Sequence, residues 1–124
     1  MPLLENFGIS NPSKDRIVAK KGIEYYSIPI NQISHFYSEN KLTFLINTEN
    51  QRYIVDYTLS DLEKILNHKE FFRINRQCIT HVNAVRKFKS IDKGKIQLTL
   101  HPDSKNNFII SQENASSFKH WLGK

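Results

Sequence analysis

Phe71-Phe72-Arg73-Ile74-Asn75-Arg76-Gln77-Cys78-Ile79 is the run in which fold and function are read together. Its first half alternates: with Phe72 and Ile74 turned into a core, Arg73 and Asn75 turn outward, the period of a β-strand. Arg76-Gln77 then falls at the strand end, where the chain turns and side chains reach solvent. Arginine, asparagine and glutamine have the hydrogen-bond geometry that matches base edges, Arg to guanine and Asn or Gln to adenine. An ordinary strand end can carry the same triplet, so these residues alone leave both readings open.

The positive charge of the chain is concentrated around this run. Between Lys69 and Lys95, the residues Lys69, Arg73, Arg76, Arg86, Lys87, Lys89, Lys93 and Lys95 are opposed only by Glu70 and Asp92, an excess of +6. The whole chain, with 18 Lys and Arg against 12 Asp and Glu, also carries +6, so the remainder is balanced. A localised positive field is the footprint of a polyanionic partner. A solvated charged face is the bland alternative.

On the N-terminal side, Arg16 to Lys20, Glu24 to Ile30, Ile33 to Tyr37, Leu42 to Asn47 and Arg52 to Tyr57 read as strands, rich in β-branched and aromatic residues and separated by polar turns. One helix follows, for which Ser60 as N-cap and Glu63 three residues later suggest a capping box, with Leu62, Ile65 and Leu66 as its apolar stripe and His68 and Lys69 at its negative end. On the C-terminal side, strands are expected around Ile79 to Val82, Val85 to Ile91, Ile96 to Leu100 and Phe108 to Ser111. In the third of these, Ile96, Leu98 and Leu100 alternate with Lys95, Gln97 and Thr99, so one face is buried and the other wet. A closing helix begins near Gln112 and carries Ala115, Phe118, Trp121 and Leu122 as a second stripe. The expected class is therefore mainly β with two short helices. Residues Met1 to Asp15 are turn-rich and read as a linker, with a single domain from Arg16 to Lys124.

Several function classes find no support. The histidines His35, His68, His81, His101 and His120 are scattered, and only His81 has a nearby cysteine, Cys78, which is too few ligands for zinc. Gly22, Gly94 and Gly123 each stand alone, so no phosphate-cradling loop exists. We therefore expect neither catalysis nor a cofactor nor a metal. RNA binding would need an aromatic stacking platform, whereas the aromatic residues fall mainly at alternating core positions. Cys78 has no internal disulfide partner, fits a reducing compartment, and reads as a core residue ahead of a redox sensor. With neither a twenty-residue apolar run nor a signal peptide, the sequence points to the cytoplasm and away from membranes.

The succession of landmarks from about Arg16 to Leu122 resembles the LytTR family of bacterial DNA-binding domains. They are Ile28-Pro29-Ile30 with Ile33; Phe36-Tyr37-Ser38-Glu39; Arg52-Tyr53-Ile54-Val55 followed by Thr58-Leu59; the helix holding Leu62 and Leu66; Phe71 to Arg76 with Ile79; and Ile110-Ser111 before the last helix. The resemblance implies several small antiparallel sheets in an elongated arrangement, with loops rather than a recognition helix entering successive major grooves of double-stranded DNA. Carried over by position, the contacts would come from Asn40 and Lys41, from Asn75, Arg76 and Gln77, and from Ser111, Gln112 and Asn114 at the start of the last helix. Lys87 and Lys89 would add phosphate contacts. All these must face one side if a single duplex is to touch them.

The resemblance further implies direct-repeat sites, a possible homodimer on DNA, and the role of output domain in a two-component, phosphorelay-type response regulator, behind an N-terminal receiver domain that is not part of this chain. Two departures bear on that expectation. The family commonly carries His-Arg-Ser where this chain has Asn75-Arg76-Gln77, and Ser-Arg where it has Ser111-Gln112. The second removes a positive charge and leaves Glu113 beside it, which weakens phosphate attraction there. A protein-interaction module with weak or no DNA binding is thus the alternative.

Overall fold

A computed structural model describes residues 14–102 and 107–123; most of the expected linker, residues 1–13, lies outside them. The strands are β1 (Arg16–Lys21), β2 (Glu24–Pro29), β3 (Ile33–Glu39), β4 (Leu42–Asn47), β5 (Arg52–Val55), β6 (Phe71–Asn75), β7 (Cys78–His81), β8 (Val85–Ser90), β9 (Ile96–Leu100) and β10 (Asn107–Ile110). Two helices interrupt them, α1 (Leu59–Ile65) and α2 (Gln112–Leu122). The strands gather into two antiparallel sheets. One has seven strands in the order β2-β1-β5-β4-β3-β7-β6, and the other three in the order β10-β9-β8.

Strand alternation divides the apolar residues between two cores. One face of the large sheet buries Ile17, Phe36, Leu45, Tyr53, Val55 and Ile79 under Leu59, Leu62 and Leu66 of α1 and its exit. The second core joins Ile74 and Cys78, on the other face of that sheet, to Ile96, Leu98 and Leu100 of the small sheet and to Phe118 of α2. β6 serves both: Phe71 enters the first core, while Ile74 and the half-buried Phe72 enter the second. Cys78 packs in the second core as expected of it. Phe72, Phe88 and Trp121 surround Phe118 with ring centroids 5.3 to 6.0 Å away.

Helix α1 starts two residues earlier than its sequence suggests. Thr58, not Ser60, is the N-cap: its hydroxyl accepts from the Asp61 N–H at 3.0 Å, and the Asp61 carboxylate accepts from the Thr58 N–H at 3.1 Å. T-x-x-D and S-x-x-E overlap here, and burial decides between them. Capping at Thr58 places Leu59 within the helix, three residues before Leu62, so that both reach the core. His68 does serve the helix end, its Nε2 lying 2.6 Å from the Glu63 carbonyl oxygen.

The buried side chains of His81 and Ser34 are hydrogen-bonded. His81 accepts at Nδ1 from the Asn83 N–H at 3.0 Å, and its Nε2 lies 3.1 Å from Glu70 Oε1. The Ser34 hydroxyl donates to the His101 carbonyl at 2.8 Å, tying the end of β9 to the large sheet.

Candidate nucleic-acid interface

The turn between β6 and β7 is built by side chains. Asn75 Oδ1 accepts from the Gln77 N–H at 2.8 Å, closing an Asx turn, and Asn75 Nδ2 donates to the Ile109 carbonyl on β10 at 3.3 Å. Both ends of this amide therefore have protein partners, which fasten the turn to the small sheet. Arg73 is likewise engaged. It lies on the Phe71 face of β6, where its guanidinium donates to Glu63 Oε1 of α1 at 2.9 Å and to the carbonyls of Asn75 and Arg76 at 3.2 and 2.7 Å. The outward, ligand-accessible position that strand alternation suggests for it is thus taken up by α1 and the turn. Arg76 and Gln77, by contrast, are exposed.

Across the surface, β3 and β4 are joined by Asn40 and Lys41 alone. Both adopt left-handed backbone, at φ 53° and 67°, the conformation of a type I′ hairpin turn that suits Asn at the first position and Gly at the second. Asn40 lines a groove of about 800 Å³ together with Tyr37, Glu39, Asn75, Gln77 and Ile109. Asn75, Gln77 and Ile109 also line a second groove of about 1130 Å³, shared with Arg76, Lys95, Ser111 and Asn114. The two adjoin at Asn75, Gln77 and Ile109, making a divided channel from the β3–β4 turn past the β6–β7 turn to the first turn of α2. Ser111 caps α2 without a side-chain hydrogen bond, which leaves its hydroxyl directed by no backbone amide of the helix.

Lys41, Arg76 and Gln112 do not line one groove. Lys41 lines a different depression, with Val18, Lys20, Tyr25 and Ile54. The Gln112 side chain lies over Gly94, so close that a Cβ there would come within 3.0 Å of its Cγ. In the channel their places are taken by Asn40 and by Ser111 with Asn114. Lys87 and Lys89 sit on β8 opposite Thr99 and Gln97. Gln97 in turn pairs with Ile109, so Ile109, Gln97 and Lys89 form a row on one face of the small sheet, with Lys89 about 10 Å from the channel wall.

The channel itself is of mixed charge. Arg73, Arg76 and Lys95 share it with Glu63 and Glu113, while Glu39 lies in its other arm. The positive excess expected around the central run is carried beside the channel, on β8 and the β8–β9 turn, by Arg86, Lys87, Lys89 and Lys93. Sequence reasoning missed Lys95 as a lining residue, although it belongs to the charged stretch. It also missed Arg73 as an internal partner of Glu63, for which no local signal exists.

Among the described residues no group of three His, Cys, Asp or Glu is placed to hold a metal ion, and no helix is long and apolar enough to cross a membrane. The fold is mainly β, and the grooves are bordered by two hairpin turns and the start of α2. A model of the LytTr DNA-binding domain matches residues 23–123, and the chain belongs to that family. Among solved structures, it is similar to a LytTr DNA-binding domain from Bacillus cereus, from a protein described as a methyl-accepting/DNA response regulator. The identity is 21% and the TM-score 0.79, over 90% of this chain and 100% of that one, a likeness of fold. No match was found among curated proteins.

Proposed function

We propose that this chain is the sequence-specific DNA-binding output domain of a bacterial response regulator of the two-component, phosphorelay type, acting in the cytoplasm. The observation that supports the reading is the pair of adjoining grooves lined between them by Asn40, Arg76, Gln77, Ser111 and Asn114, with the cationic β8 on the neighbouring sheet. Arg76 and Gln77 read base edges in a major groove, as their fork and amide geometry allows. Asn40, Ser111 and Asn114 set the register from either side, Lys95 and the more distant Lys87 and Lys89 meet phosphates, and Asn75 acts by holding the turn. Direct repeats, a homodimer on DNA and an N-terminal receiver domain complete the proposal. Neither catalysis nor a cofactor enters it.

Titration of a direct-repeat duplex at two salt concentrations tests it. Binding should weaken steeply with salt, with a slope that counts the phosphates neutralised. Absence of binding at low salt, or a flat slope, rejects the reading.

One observation favours the second reading, a protein-interaction module. The half of the large sheet's second face left uncovered by the small sheet exposes Val18, Tyr25 and Ile54, with Leu42 at its end; their exposures run from 41 to 69%. Should Arg76→Ala keep a protein partner while no duplex ever binds, this second reading replaces the first.

A further inference from the structure

We propose that Arg73 is a positioning residue for DNA recognition: braced by Glu63 of α1, its guanidinium fixes the turn that presents Arg76 and Gln77. The inference rests on the DNA-binding reading and adds to it a residue that does not itself touch DNA.

The geometry is that of a fork with every prong engaged. Nε donates to the Asn75 carbonyl at 3.2 Å, Nη2 to the Arg76 carbonyl at 2.7 Å, and Nη1 to the Glu63 carboxylate at 2.9 Å. Two consecutive turn carbonyls are thereby aimed at one cation, which fixes the peptide planes on both sides of the Arg76 Cα. Side-chain exposure is 27% for Arg73 and 46% for Glu63, so the pair is partly screened and its ionic attraction alone is weak. The value of the arrangement lies in direction. A lysine could supply the charge but not a planar set of donors pointing to three acceptors.

The fold has other means of closing this strand pair, since Ile74 and Cys78 on either side of the turn are buried in the second core and Asn75 supplies the Asx turn. The Arg73 brace is therefore surplus to chain reversal. What it adds is a fixed backbone beneath the two exposed readers, so that ordering them on a duplex costs less.

Arg73→Lys and Arg73→Gln together separate this role from phosphate contact. A positioning residue gives a specific-duplex affinity reduced roughly tenfold in both, with non-specific affinity and salt slope unchanged. A slope reduced by about one in Arg73→Gln, which removes the charge that lysine keeps, with specific and non-specific binding weakened alike, marks a phosphate contact instead and overturns the proposal. Unchanged specific affinity also overturns it.

In the DNA-free protein, NMR relaxation of the Arg76 and Gln77 amides should show increased motion in Arg73→Lys while the Leu45 and Leu98 amides stay rigid; equal rigidity in the turn overturns the proposal. Glu63→Gln should shift the same readouts in the same direction, less strongly, and decides the matter if Arg73 variants do not fold. If the wild-type protein binds no duplex at all, the DNA-binding reading fails, and the relaxation comparison still decides whether the brace exists.

Discussion

Two turns border the channel, and they are held in shape by opposite means. The Asn40-Lys41 turn joins adjacent strands with two residues, both in left-handed backbone, and Lys41 pays a conformational cost that glycine would not. The Asn75-Arg76-Gln77 turn is fixed from outside, by Asn75 reaching β10 and by Arg73 linked to α1. One shape is encoded in a dipeptide and the other in contacts spanning 34 residues of sequence. The first can be altered without disturbing its neighbours, whereas a change in the second is felt across both sheets.

The largest expected effect comes from breaking the externally held turn. Asn75→Ala removes the hydrogen bonds to Gln77 and Ile109 and should lower stability by about 1–2 kcal/mol in urea denaturation, with weakened duplex binding besides. Asn75→Asp retains the acceptor for Gln77 while losing the donor to Ile109, so it should fall between the two proteins.

At the other turn, Lys41→Gly should raise stability by ~1 kcal/mol, because glycine accepts left-handed backbone without a Cβ clash. If Lys41 meets a phosphate despite lining a separate depression, the salt slope of binding falls by about one; otherwise it stays put. Equal stabilisation by glycine at position 76, where no left-handed backbone is found among the described residues, would erase the contrast.

Gln112→Arg comes next. The side chain lies over Gly94, outside the channel, so the added charge should strengthen specific and non-specific duplex binding alike, raising the salt slope by at most about one.

The smallest effect concerns the far end of the helix that carries Glu63. Hydrogen bonding from Thr58 holds the Asp61 carboxyl below its usual range. A depressed folded-state value means that its contribution is present at neutral pH and disappears as pH falls through the ordinary carboxylate range to below the lowered one. Asp61→Asn should therefore make the urea midpoint slightly less sensitive to acid, with the salt slope of duplex binding unchanged.

The β-rich class was legible because the alternation of Ile96 to Leu100 and the β-branched and aromatic content of the N-terminal runs are local properties, as are the polar breaks between strands. The helix start was not, since two capping patterns overlap within six residues and only the burial of Leu59 chooses between them. The places where the site forms could also be read, as turns following strands. Which side chains in those turns remain available could not: Asn75 is engaged by a carbonyl on β10, Arg73 by a carboxylate on α1, and Gln112 by the surface of Gly94. Polar partners far apart in sequence leave no periodicity to detect.

The strand pair β6–β7 is a party wall, contributing Phe71 and Ile79 to one core and Ile74 and Cys78 to the other. Neither half of the molecule can loosen without stripping lining from its neighbour. Heat should accordingly disassemble the domain in one step rather than as two successive melts, and a cut through this wall would leave two fragments with no closed interior between them.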